Sequence, residues 1–189
     1  KSKVAKEVKK IKKKWLPIIS SKEFGAQEIG ETYIAEPEQA LNRVIKVNLM
    51  ALTKDPKKQN FNVYFKIKEI KNNQAVTELI SYKIQVAQLK KITKKNKNKI
   101  DDSNVYETKD NKKMVIKPIL ITKNLVYKSS LQAIRKITRE FLIDYIKKNE
   151  SSRILLNIVN NMVQKDIKNS VKKVVPIVSC IIKTAAIKE

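Results

Sequence analysis

Apolar and polar positions change period along this chain, and the changes mark its elements. From about residue 43 the period is two. Arg43–Leu49 reads as a strand. Phe61, Val63, Phe65 and Ile67 then alternate with Asn62, Tyr64, Lys66 and Lys68, the clearest strand signal in the sequence. Lys71-Asn-Asn-Gln74 follows, and Asn tolerates the left-handed backbone that a tight hairpin needs. Ala75–Lys83 is therefore predicted to return as the partner strand. Val86, Leu89 and Ile92 predict a short helix running into Lys94-Lys-Asn-Lys-Asn-Lys99. A second hairpin is predicted from Asn104–Thr108, a turn at Lys109-Asp-Asn-Lys112, and Met114–Thr122. Pro118 inside that last run marks a bulge or a strand edge.

After Ser129-Ser130, a natural N-cap pair, the period becomes 3.6. Leu131, Ile134, Ile137, Phe141 and Tyr145 form one apolar helical face, with Arg135, Lys136, Arg139 and Lys147 largely off it. Ser151-Ser152 is expected to cap a further helix with Leu155, Val159, Met162 and Val163 inward. Ile167–Lys173 adds a turn or two, Pro176 ends it, and a final strand is predicted over about 177–187. The order is strands (about 43–122), helices (about 130–173) and a strand. That is an α+β arrangement with mostly antiparallel neighbours, a short mid-chain helix, two or three C-terminal helices and no internal repeat.

The N-terminal segment reads differently. Residues 1–14 hold eight Lys and one Glu, and Val4, Val8 and Ile11 allow one narrow apolar stripe. Alone, such a segment cannot bury enough surface to offset its ordering entropy, so residues 1–14 are expected to be a basic extended arm that orders on a polyanion. Trp15-Leu-Pro17 stops any helix, because Pro disfavours helical geometry in the residue before it. Residues 15–189 are then expected to form a single domain. Residues 22–38 are an acidic exception, with Glu23, Glu28, Glu31, Glu36 and Glu38 against Lys22.

Charge changes the picture more than any motif. The 189 residues carry 42 Lys plus Arg, 18 Asp plus Glu and no His, for a formal net charge of +24, while 42% are hydrophobic. The apolar fraction suits a buried core; the charge suits a partner that neutralises it, of which nucleic acid is the commonest. Drift toward A- and T-rich codons accounts for Lys in place of Arg, of which there are four. It does not account for the shortage of acids, because Glu codons are equally A-rich. The absence of His removes the usual general base and the commonest metal ligand. No Gly-rich phosphate loop, Cys/His set or nucleophile–base pair is present, so no enzyme activity, cofactor or small-molecule substrate is expected. Asp101-Asp102 could hold Mg²⁺, but adjacent carboxylates in a loop usually serve a turn or a helix charge, and no metal is expected. Cys180, within Val178-Ser-Cys-Ile-Ile182, reads as a buried hydrophobe in a strand; one Cys forms no internal disulfide, which fits a reducing compartment. No apolar run reaches the length of a membrane span and the basic start is not followed by an apolar h-region, so neither a membrane anchor nor a signal peptide is expected.

The candidate RNA-binding residues are the basic clusters: Lys9, Lys10, Lys12, Lys13 and Lys14 with Trp15; Lys90, Lys91, Lys94, Lys95, Lys97 and Lys99; Lys109, Lys112 and Lys113; and Arg135, Lys136 and Arg139. Ammonium groups hold phosphates without reading sequence. Trp15, among lysines, either stacks on a base or anchors the arm to the core. A free DNA- or RNA-binding regulator is the rival reading. It would need a recognition helix rich in Arg, Asn and Gln, which 131–147 supplies only in part.

Several segments taken together resemble a known family. They are Lys13-Lys-Trp15; Phe24-Gly25 with Glu28-Ile-Gly-Glu-Thr32; Asn42-Arg-Val44; Lys54-Asp55; Thr108-Lys-Asp110; Val115-Ile-Lys-Pro118; and Ala133-Ile-Arg-Lys-Ile137. In that order and spacing they are similar to the archaeal and eukaryotic small-subunit ribosomal proteins called S-three-A-e, or eS-one, over roughly residues 12–180. The short length looks like the archaeal branch. The resemblance implies a β-barrel-like core with packed helices. It also implies a place in the cytoplasmic small ribosomal subunit, on the platform near the messenger exit and the rRNA 3′ end. The partners it implies are small-subunit rRNA, neighbouring platform proteins and mRNA. Two departures stand out. Asn111 sits where the family often has Gly, and the 90–99 run is Lys/Asn where relatives are Arg-rich, which keeps phosphate attraction but loses the planar fork.

Overall fold

The alternation at 61–67 is the outer arm of a long hairpin in the computed structural model, which describes residues 13–188. Its strands are β4 (Phe61–Lys71) and β5 (Gln74–Ile84). Asn72 and Asn73, at φ +50° and +58°, make the turn between them, as the Asn pair predicts. The other strands are β1 (Lys14–Ile19), β2 (Glu28–Ile34), β3 (Val44–Asn48), β6 (Lys99–Asp101), β7 (Asn104–Glu107), β8 (Lys113–Thr122) and β9 (Ile177–Lys188). The helices are α1 (Leu49–Thr53), α2 (Val86–Ile92), α3 (Lys128–Lys148), α4 (Ser151–Val159) and α5 (Met162–Lys172). The fold is mixed α+β. Hydrogen bonding follows β2-β1-β5-β9-β8-β6, with β3 on β4, β4 on β5 and β7 on β8. This path is not closed, so the sheet is an open one.

The described residues divide into two compact units, 13–44 with 66–78, and 45–65 with 79–188. In the first, β1 pairs antiparallel with β2, setting Trp15 opposite Tyr33 and Pro17 opposite Glu31, and meets β5 in parallel at Ile18–Ala75. Leu16, Ile18, Ile34, Ala40, Ile67 and Ala75 are buried there. Neither β1 nor β2 was expected from the pattern. Pro17 lies within the β1–β2 pair and outside the short contact of β1 with β5, which is made at Ile18 and Ile19.

In the second unit β8 and β9 form a long antiparallel pair, and α5 lies on β9. The register shifts between Lys117 and Pro118, so Pro118 marks a bulge as its position in the run predicts. The buried face of α3 is Ile134, Thr138, Leu142 and Ile146. It is turned slightly from the expected stripe: Leu131, Ile137, Phe141 and Tyr145 are half-buried flanks, with Phe141 and Tyr145 stacked at 5.9 Å. Ile154, Leu155, Ile158, Val159, Val163, Ile167 and Val171 continue the core through α4 and α5, whereas Met162, expected inward, is exposed.

The serines are not the caps their sequence suggests. Helix α3 starts before them, at Lys128 with Tyr127 at the N-cap, and Ser129 and Ser130 lie in its first turn. Ser151 is the first residue of α4 and is itself capped from elsewhere: the Asp110 carboxylate accepts from its N–H at 2.9 Å and its hydroxyl at 3.1 Å. Asp110 therefore supplies a cap across 41 residues of sequence.

Candidate nucleic-acid interface

Three of the expected basic clusters belong to the second unit, and α3 organises all three. Lys90 and Lys91 sit in the last turn of α2, where positive charge suits the carbonyl end of a helix. The loop that follows is fixed at its base by Asn98. The Asn98 N–H donates to the Thr122 hydroxyl at 3.0 Å, and its side-chain oxygen accepts from the Val126 N–H at 2.7 Å, two residues before α3 begins. Lys94 and Lys95 are exposed above this anchor. Lys97 is half-buried, and Lys99, in β6, is paired with Asp101 at 2.9 Å.

Arg135, Lys136 and Arg139 are exposed on the middle of α3, lining with Gln132 and Glu140 a shallow cleft of about 330 Å³. Arg139 spends the Nε/Nη2 edge of its guanidinium on Asp102, which leaves the Nη1/Nη2 edge for a phosphate. Its Nε donates to Asp102 Oδ2 at 2.6 Å and its Nη2 to Oδ1 at 2.7 Å. That pair holds the Asp102 carboxyl below the usual carboxylate range, against the opposing effect of burial. Both members of Asp101-Asp102 are thus engaged by cations of the chain itself, as a loop pair serving local charge would be.

Lys109, Lys112 and Lys113 are exposed at the β7–β8 turn. Thr108 closes this turn by donating from both its N–H and its hydroxyl to the Lys112 carbonyl, each at 3.0 Å. Asn111 adopts φ +56°, so it supplies the left-handed residue that Gly would otherwise provide. The turn is held at the far end of α3: the Lys109 N–H donates to the Asn149 carbonyl at 3.3 Å and Asp110 caps α4. The 94–99 loop, the 135–139 face and the 109–113 turn are therefore fastened at the start, the middle and the end of one helix. At 21 residues α3 is about 30 Å long.

The remaining cluster belongs to the first unit. Lys9, Lys10 and Lys12 lie outside the described residues; Lys13, Lys14 and Trp15 open β1 and are exposed. Trp15 does not anchor into the core: it is 62% exposed and lies against Tyr33 at 4.9 Å between ring centroids. The pattern did not single out Tyr33, because its role depends on a β1–β2 register that no local signal specifies. Cys180 occupies β9, and burial pushes its thiol up to about 12, which suits a structural residue and not a nucleophile.

Compared with known proteins, the sequence matches the Ribosomal S3Ae family over residues 1–189. It belongs to that family. It is a ribosomal protein and not an enzyme. A "small ribosomal subunit protein eS1" of Nanoarchaeum equitans is 31% identical over 87% of this chain and 83% of its own length. Proteins of the same name are 27% identical in Methanothermobacter thermautotrophicus, over 87% of this chain and 85% of theirs, and 26% identical in Halorubrum lacusprofundi, over 84% and 72%. These relatives agree with the archaeal branch that the sequence resembles.

Proposed function

We propose that this S3Ae-family member is a structural constituent of the small ribosomal subunit in the cytoplasm, where it supports translation. It holds small-subunit rRNA through phosphate contacts at the platform, near the messenger exit and the rRNA 3′ end. Neighbouring platform proteins are its protein partners, and mRNA passes nearby. The observation that carries the rRNA-binding part of this reading is the set of three basic clusters fastened along α3. Strung over about 30 Å, they match the length of a phosphate track better than that of a compact ligand. The placement at the platform rests on the family resemblance. The tie between Arg139 and Asp102 weighs against a base-reading helix, since it takes one of the two forking edges of the guanidinium and fixes its orientation on the chain itself.

The test is co-sedimentation with small subunits at moderate salt, together with a salt titration of binding to isolated small-subunit RNA. The protein is expected to travel with the subunit. The log–log salt slope is expected to be several units, at roughly 0.7–0.9 per phosphate neutralised. A flat salt response, or sedimentation apart from the subunit, refutes the reading.

A further inference from the structure

In β1 the alternation buries Leu16 and Ile18, each 3% exposed, and turns Trp15 to the other face. Trp15 is thus exposed by register and is not a core residue that failed to pack. Its cross-strand partner Tyr33 is 49% exposed, and the two rings lie 4.9 Å apart at 37°. Lys13 Nζ stands 5.7 Å from the Tyr33 centroid, within cation–π range, and Lys14 is exposed beside it. Two adjacent open rings with cations at their border make a stacking surface.

We propose that Trp15 and Tyr33 form a platform on which one unpaired RNA base stacks, with Lys13 and Lys14 holding the adjoining backbone phosphates. This deepens the rRNA-binding reading and rests on it: the clusters along α3 hold phosphates of any RNA, whereas the platform takes single strands only. In an A-form duplex the base faces are already stacked on one another, so only an unpaired nucleotide presents a face to an indole. Charge selects RNA over a protein neighbour as the occupant. The cations at the border complement phosphate, and the sequence running into the platform, Lys9-Lys-Ile-Lys-Lys13, is basic. Glu31, opposite Pro17, bounds the site on the other side and disfavours a phosphate there. The platform is therefore about one nucleotide wide.

The chain has a single Trp, so its intrinsic fluorescence reports this position alone. The full chain is titrated with a short oligouridine and with an A-form duplex carrying the same number of phosphates, and occupancy is followed independently by anisotropy of the labelled RNA. Oligouridine is expected to quench Trp15 strongly, and the duplex to leave it nearly unchanged at equal occupancy. Trp15→Ala is expected to weaken oligouridine binding roughly 5- to 150-fold, the range for losing one base–aromatic stack. Duplex affinity should be unaltered. Trp15→Phe, which keeps a ring, should retain most of the single-strand affinity. Saturating oligouridine without quenching overturns the platform and leaves the ring pair to a protein neighbour. So does a Trp15→Ala variant that binds both RNAs as the wild type does. Either result leaves the α3 clusters standing. Failure of the wild-type chain to bind both RNAs overturns the rRNA-binding reading along with the platform.

Discussion

At Asp102 both carboxylate oxygens are taken by Arg139, at 2.6 and 2.7 Å, and a further contact comes from the Ser103 N–H at 3.3 Å. The Arg139 hydrogen bonds are the main cause of the lowered Asp102 pKa; burial acts in the opposite direction. A carboxylate depressed in the folded state adds stability that is complete above its unfolded pKa, about 3.9, and is lost as pH falls through the folded value. Asp102→Asn is therefore expected to lower the melting temperature at neutral pH. The gap to the wild type should close on acidification below the ordinary aspartate range, as thermal melts over a pH series would measure. The same geometry separates two arginines that the sequence treats alike. Arg135→Gln should weaken RNA binding more than it alters stability. Arg139→Gln should do the reverse, because two of the Arg139 nitrogens are already committed to Asp102. Paired salt titrations and melts of the two variants distinguish these roles.

Between elements, the clearest device is the Thr108–Lys112 turn seated on the α3–α4 junction. Asp110→Ala removes the acceptor for both the Ser151 N–H and its hydroxyl, and Ser151 is buried, so the lost cap is not replaced by water without cost. Losing an N-cap of this kind costs about 0.5–2 kcal/mol, which urea denaturation at constant slope would resolve. Asn111→Gly should be close to neutral, because the backbone there is already left-handed. This turn also shows where sequence reading reaches its limit. The hairpins β4–β5 and β7–β8, the short helix α2 and the long helix α3 are legible, because each keeps one period over a whole element or turns on Asn. Strands β1 and β2 are not, since Pro17 interrupts one and the other is rich in Glu and contains Gly30. Strand β6 has three residues and α1 has five, too few to show a period, although the Asn48 side chain caps α1 by accepting from the Met50 N–H at 2.9 Å. The caps differ for other reasons: at α4 Asp110 acts from 41 positions away, and propensity carries no record of such a partner, while at α3 Tyr127 stands at the N-cap with no side-chain cap bond to mark the start. The candidate site was legible as composition, since lysine runs are plain in the sequence. Their assembly along one helix was not, because Asn98, Asp102 and Asp110, which fasten them, look like ordinary loop residues.

A net charge of +24 on 189 residues acts on the molecule as a whole, opposing compaction and drawing the protein to polyanions across a Debye length that reaches about 30 Å at low salt. The basic segment 90–99 tests how that charge is divided between stability and binding. Its members are not equivalent. Lys90, Lys91, Lys94 and Lys95 are exposed, Lys97 is half-buried, and Lys99 is paired with Asp101 in β6. Changing the first four to Gln keeps polar side chains at these positions and removes four charges from the surface. Exposed substitutions typically alter stability by within about 0.5 kcal/mol, and the small loss of helix-end charge at Lys90 and Lys91 is opposed by the fall in self-repulsion, so the variant should melt close to the wild type. Binding should respond differently. Losing up to four phosphate contacts should reduce the log–log salt slope by up to about 3, at roughly 0.7–0.9 per phosphate. The loss should be nearly equal for unrelated RNA sequences, because ammonium groups on phosphates distinguish none of them. Lys99→Gln alone should show the opposite balance, with a small loss of stability at the β6 edge and little change in slope, since Asp101 already neutralises it. An unchanged slope in the four-fold variant would mark 90–95 as solvated surface and move the binding charge to the 109–113 turn and the Arg135 face. A loss confined to one RNA would mean that the segment reads bases, which lysines acting as point charges do not do.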